Sequence, residues 1–372
     1  MRIFRATRLA GLVALTALAA SCEPATEPEV GSDFDADAAL ADYQAVEEVL
    51  TATGWESFQA LAGRTPFGGT PATADAVSGG ALAAAALGTP SGGDDGRAFA
   101  LLLARRLHAA TAADGPLMAP IISDTHRGAT FVYDPESDDY VVDPEREGAP
   151  ETGVRFVIYD VDDAGLPIVE QEIGYADLVD EGDSSSEEVA LHLTVVANEV
   201  TVLDYLTTLD GPANRGVLTV HGFLQGERDR LDFHIEAVAT TAEERTTLDI
   251  AFDLRIDARD FSVTGSVHGV EEATEGEGDV DVTVRHRSHS LRVDAHGEDG
   301  QLEASVFLNG DLFATVSGDA ESPTILGASG EPLTFAQSLV LWHVIDTVED
   351  VFDLLEDLVD PVDELVILGI IL

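Results

Sequence analysis

LDFHIEAVA (231–239) and LDIAFDLRI (248–256) decide the fold of this chain. In the first, Leu231, Phe233, Ile235 and Ala237 alternate with Asp232, His234 and Glu236. In the second, Leu248, Ile250, Phe252, Leu254 and Ile256 alternate with Asp249, Asp253, Arg255 and, just beyond it, Asp257. A side-chain period of two belongs to a strand with one apolar and one wet face. The scheme runs from about Ala129 to Gly318: Val280, Val282 and Val284 stand against Asp281, Thr283 and Arg285, and Leu302, Ala304, Val306 and Leu308 against Glu303 and Ser305. Turn signals at Asp210-Gly211-Pro212, Gly226-Glu227, Asp299-Gly300 and Asn309-Gly310 separate the runs closely, which predicts consecutive antiparallel hairpins.

A Ser/Thr-Val-x-Gly pattern recurs at Thr219–Gly222, Ser262–Gly265, Ser266–Gly269 and Thr315–Gly318, and parity puts each glycine on the apolar face. Missing side chains there let a sheet bend sharply or let another element come close. The reading is an α+β protein: a large, strongly curved antiparallel β-meander over residues 129–331, a half-barrel or open barrel. N-terminal helices precede it and a C-terminal helix packs on its apolar face. Roughly 25 inward aliphatic and aromatic side chains, at about 1.5–3 kcal/mol each when buried, are too much apolar surface to leave in water.

Residues 332–372 offer a filler for that face. Leu333–Val359 carries Leu339, Trp342, Ile345, Val348, Val351, Phe352, Leu355, Leu358 and Val359 on a wide apolar side. Its polar side, with Asp346, Glu349, Asp350, Asp353, Glu356 and Asp357, has no cation, whereas a helix lying on a membrane surface would carry Lys or Arg there. Packing into the sheet is the better reading. Pro361 stops the helix, and the apolar tail Leu365–Leu372 is too short to span a bilayer.

Taken together, the curved sheet and its covering helix are similar, at the level of fold only, to periplasmic lipoprotein carriers and their receptors, whose half-barrels enclose a greasy cavity. That resemblance implies that Leu218, Val220, Leu231, Phe233, Ile250, Phe252, Val263 and Val267 line a cavity for a lipid or acyl chain, with Trp342 and Phe352 on its lid. The alternative is that the same residues form a dry core filled by the helix.

The N-terminal third has another character. Arg2, Arg5 and Arg8 precede an apolar run from Leu9 to Ala20, the pattern of an export signal over residues 1–21. Leu18-Ala19-Ala20-Ser21-Cys22 resembles the lipobox of bacterial lipoproteins, in which processing cleaves before the cysteine and acylates it. Cys22 is the single cysteine in the chain. Glu23 rather than aspartate follows it, which by the same resemblance favours the outer membrane. Residues 22–37, with Pro24, Pro28, Glu23, Glu27, Glu29 and Asp33, read as a disordered acidic tether. Such a tether spans about 20 Å as a coil and up to about 50 Å stretched. Residues 38–128 read as a helical part interrupted by a Gly/Pro/Ala-rich loop, with helices over 38–62 and Arg97–Ala112.

Composition removes several chemistries. All 19 basic residues are arginine, so lysine-dependent Schiff-base, P-loop and protein-kinase chemistry is absent. Without the signal arginines, sixteen Arg face 70 Asp and Glu, a formal charge of −54. A field of that sign repels nucleic acid and anionic lipid. Gly-x-Ser-x-Gly, His-Glu-x-x-His and Gly-x-Gly-x-x-Gly are all missing, and a lipidated cysteine is no nucleophile. The expectation is therefore a protein without catalytic residues and without a cofactor.

Two sets of residues are candidates for metal. Asp160, Asp162, Asp163 and Glu170 around Gly165 loosely follow a calcium loop, although Ala164 stands where the loop pattern wants an oxygen ligand. His234, His268 and His296 fall on the wet face, while His286 and His289 lie three apart, a spacing that points them to opposite faces of a strand unless a turn near Ser288 brings them together; these are the imidazoles open to zinc or copper. The functional expectation is an envelope lipoprotein, membrane-bound through its acyl anchor. It either shelters an apolar ligand, or has a self-filled core and an acidic face that meets a cation or a protein partner.

Overall fold

A computed structural model of the chain describes residues 122–355, apart from short stretches within that range. The signal, the tether, the N-terminal helices, Asp163, Phe352 and the apolar tail lie outside the described residues.

Among the described residues, fifteen strands form one sheet. The first five are β1 (Ala129–Asp134), β2 (Asp139–Val142), β3 (Gly153–Val161), β4 (Pro167–Asp180) and β5 (Val189–Ala197). The middle five are β6 (Val200–Asp210), β7 (Arg215–Gln225), β8 (Arg230–Ala242), β9 (Arg245–Ile256) and β10 (Phe261–Glu271). The last five are β11 (Gly276–His286), β12 (His289–Glu298), β13 (Gln301–Leu308), β14 (Asp311–Asp319) and β15 (Thr324–Gly327). From β3 to β15 every strand pairs with its sequence neighbours, the order predicted from the turn signals. The exception is β1, which runs parallel to β3 while its hairpin partner β2 occupies the edge. With β2 at one end and β15 at the other, the sheet is not closed.

Alternation sorts the side chains as the period of two demands. Leu218, Val220, Leu231, Phe233, Ile250, Phe252, Val263 and Val267 are all buried in one apolar cluster that continues through Val280, Val293 and Val306. The turns supply the backbone that tight hairpins require. Asn309 and Gly310 both adopt positive φ between β13 and β14, and Asn198 and Glu199 do so between β5 and β6, the left-handed pair of a type I′ turn.

The glycines lie on the inner face by register, but they serve two ends. A Cβ on Gly265 would stand 2.4 Å from the Phe252 ring, and one on Gly222 would stand 2.3 Å from the Tyr205 Cβ, so these positions make room for an aromatic neighbour. Gly269 and Gly318 instead face open space. Gly269, Gly278 and Gly297 align directly across β10, β11 and β12, so no side chain fills the inner face there.

Helix α1, to which the described residues between 335 and 355 belong, contributes Leu341, Val344, Ile345, Val348, Val351 and Leu355 to the same core cluster. Its buried stripe runs through these positions at spacings of three and four. Trp342, expected on the lid, is 60% exposed, and Leu339 is 48% exposed. Residue 342 is rotated by about 100° from residue 341, so burying Leu341 and Val344 turns the tryptophan outward.

Candidate functional site

The outer face of β9 to β13 carries a continuous row of acids and imidazoles. Register pairs Asp249 with His268, His268 with Asp279, Asp279 with His296, and His296 with Glu303. Five neighbouring strands thus present Asp, His, Asp, His and Glu in line. Directly opposed side chains in an antiparallel pair stand about 4.5–5.5 Å apart at Cβ, close enough for these polar groups to bond across the strands. His268 Nδ1 lies 2.5 Å from Asp249 Oδ1, and His296 Nδ1 lies 2.8 Å from Asp279 Oδ1.

The hydrogen bond to Asp279 holds the pKa of His296 above the ordinary imidazole value; partial burial opposes this, and the charges of Asp279, Glu277 and Glu298 add to the rise. Beside the row, Asp281 and Asp294 face each other on β11 and β12. Arg292 bridges them, with Nη2 at 2.8 Å from Asp281 and 2.9 Å from Asp294. Burial raises the Asp294 pKa, and a hydrogen bond with Asp281 adds to the rise. His268, Asp279, His296 and Glu303 of the row, together with this pair, line a groove of about 520 Å³ to which Ser266, Ser305 and Thr315 also contribute.

A second groove of about 550 Å³ lies on the outer face of β5 to β8. His192 is clamped there by Glu181 at 3.1 Å and Asp204 at 3.0 Å, one carboxylate on each ring nitrogen. Burial disfavours its charge, but the hydrogen bonds to Asp204 and Glu181 outweigh it and raise the pKa. His221, two strands from His192 in the same register row, lines the same groove, and its ring centroid lies 6.1 Å from that of His234 on the next strand.

The residues singled out in sequence divide. Asp160 and Asp162 shape the β3–β4 connection, where Asp162 Oδ1 accepts the Leu166 amide at 3.0 Å, while Glu170 is exposed on β4. Donor atoms converge elsewhere among the described residues: those of Glu277, Asp279 and His296 lie within 4.8 Å of one another. His286 and His289 are paired directly across the β11–β12 turn and so share a face, with His286 buried. His234 stays on the outer face, paired with Asp253 and His221. The Asp-His-Asp-His-Glu row escapes a reading of single strands because its members are far apart in sequence; the signal for it is that each lies at an outward position of a hairpin whose turn length sets the register.

Among the described residues, no helix is long and apolar enough to cross a membrane. No protein-family model, curated protein or solved structure matches the chain.

Proposed function

We propose that this protein is a non-enzymatic lipoprotein of the bacterial cell envelope, anchored through acyl chains on Cys22 and probing its surroundings with the acidic outer face of a self-filled sheet. The anchor rests on the lipobox-like Leu18–Cys22. An outer-membrane address rests on Glu23, and the acidic tether holds the domain clear of the headgroups. In this reading the sheet is strongly curved, a half-barrel wrapped around α1. The single observation that carries it is the burial of Leu341, Val344, Ile345, Val348, Val351 and Leu355 in the sheet's own core cluster, which gives the apolar face an occupant from within the chain. The outer face is then the working surface, and its charge selects a cation or a basic protein partner over nucleic acid.

A second reading, an inner face that shelters a lipid or acyl chain, draws on β6. The hydroxyls of Tyr205 and Thr207 are buried there without a hydrogen-bond partner, and a buried unpartnered hydroxyl costs about 1–3 kcal/mol that a ligand's polar end would relieve. Native mass spectrometry with lipid extraction on the Cys22→Ser chain, purified without detergent, separates the two. A bare mass that gains nothing on incubation with fatty acids or phospholipids is expected. A stoichiometric co-purifying lipid would overturn the self-filled reading in favour of the carrier.

A further inference from the structure

We propose that Glu277, Asp279 and His296 form a binding site for a divalent first-row transition-metal ion, zinc among them. The proposal deepens the reading of the outer face as a cation-binding surface by naming the site and the class of ion.

The site is built by two neighbouring strands in fixed register. Glu277 and Asp279 are two residues apart on β11 and therefore share its outer side. On β12, His296 stands directly opposite Asp279, and Glu298 directly opposite Glu277. The result is a square of three carboxylates and one imidazole. Between them, Gly278 pairs with Gly297 and turns to the other face, so neither strand adds bulk at this point. Among the described residues, no arginine pairs with Glu277, Asp279 or Glu298, whereas the neighbouring Asp281 and Asp294 share Arg292. The square keeps a net negative charge that a single imidazole cannot offset.

Distances fit a small ion. Nitrogen and oxygen ligands of zinc lie about 2.0–2.2 Å from the metal, so donors on one tetrahedral centre are separated by about 3.3–3.6 Å. The three donor atoms already lie within 4.8 Å of one another, and Asp279 is 2.8 Å from His296 Nδ1. Closing the wider gap and opening the shorter one takes about an ångström of movement in exposed side chains, which the staggered rotamers of Glu277 can supply. The donor set also chooses the ion. Calcium takes six to eight oxygens, more than this square offers without water. An imidazole beside carboxylates suits zinc, copper, nickel or iron. The rest of the row gives the site a setting, since His268 abuts Asp279 on its other flank.

Zinc titration of the Cys22→Ser chain by calorimetry tests the proposal, run in about 0.15 M sodium chloride with excess magnesium so that diffuse attraction to the acidic surface is screened and competed. One saturable equivalent is expected. His296→Asn and Glu277→Gln should each weaken it by about tenfold or more, while Asp249→Asn, two strands away in the same row, should leave it unchanged. Circular dichroism confirms that each variant is folded. Cobalt(II) provides an independent readout, since a visible absorption band reports nitrogen and oxygen coordination, and His296→Asn should abolish it. Absence of saturable binding, or binding that both His296→Asn and Glu277→Gln leave intact, would overturn the site. A co-purifying lipid with zinc binding preserved would sink the self-filled reading alone, and a bare core without zinc binding would sink this site alone.

Discussion

Two glycines on one strand show how much a single residue position can differ. Gly265 sits over Phe252, where a Cβ would come within 2.4 Å of the ring and 2.7 Å of the Asp281 carbonyl oxygen. The ring could rotate, but the backbone oxygen could not move without disturbing the ladder, so Gly265→Ala should destabilise by about 1–3 kcal/mol. Gly269 faces open space four residues later. There the added methyl restricts the unfolded chain without a clash, and Gly269→Ala should be neutral or stabilising by up to about 1 kcal/mol. Urea midpoints of the two variants check the contrast, and equal effects would contradict it. His192 supplies the pH dependence at this scale. Its folded pKa is raised because bonds to Asp204 and Glu181 outweigh burial, so its contribution is fully present below the unfolded value of about 6.5 and is lost as pH rises through the folded one. The stability difference between the parent chain and His192→Gln should therefore be largest in mild acid and shrink under alkaline conditions. Thermal melts across that range decide it, and a gap that widened with pH would refute the sign.

Individual elements follow from local pattern to different degrees. From β8 to β13 the alternation and the turn residues specify strand, face and neighbour together, because a slip by one residue would put a row such as Leu248, Ile250 and Phe252 into water. The parallel pairing of β1 with β3 was not legible. Parallel neighbours leave no turn signal between them, and here they are tied by an aromatic cluster in which Phe131 stacks on Phe156 at 4.9 Å and the Tyr140 hydroxyl donates to the Val157 carbonyl. Helix α1 was legible as an amphipathic segment but not in its rotation. Leu339 and Trp342 compete with Leu341 and Val344 for the same core, and hydrophobicity alone does not rank a stripe by how well it fits a sheet. The outcome makes Val348, 1% exposed, a central contact of the helix. Val348→Asp would bury an unpaired carboxylate, so the chain should lose more than about 3 kcal/mol or release the helix. Trp342→Ala, on the exposed side, should cost under about 0.5 kcal/mol. Tryptophan fluorescence and urea unfolding of the Val348→Asp chain distinguish release from global loss, and parity between the two variants would mean that α1 is no part of the core.

At the scale of the whole molecule, what the linear sequence conceals is alignment. Outward acids and imidazoles can be assigned strand by strand, but the Asp249–Glu303 row exists only because four successive hairpins keep their members level. Any one of those turns with a different residue count would have broken it. The same stacking concentrates charge. With a formal charge of −51, the outward acids repel one another, and the arginines relieve this only locally, as Arg155 does with Asp177 and Arg292 with Asp281. Self-repulsion of this kind favours the expanded chain and is screened by salt. The Debye length falls from about 30 Å at 0.01 M to about 3 Å at 1 M, a passage from longer than several strand spacings to shorter than one. Melting temperature should therefore climb steeply with sodium chloride at low concentration and flatten once screening has shrunk to the distance between adjacent strands. Salting-out would also raise it, but sulfate exceeds chloride in that effect at high concentration, whereas screening depends on ionic strength alone. Melts in the two salts at matched ionic strength should coincide through the steep part and separate only beyond it. A melting temperature indifferent to salt in the dilute range would mean that the acids have been placed where they scarcely interact.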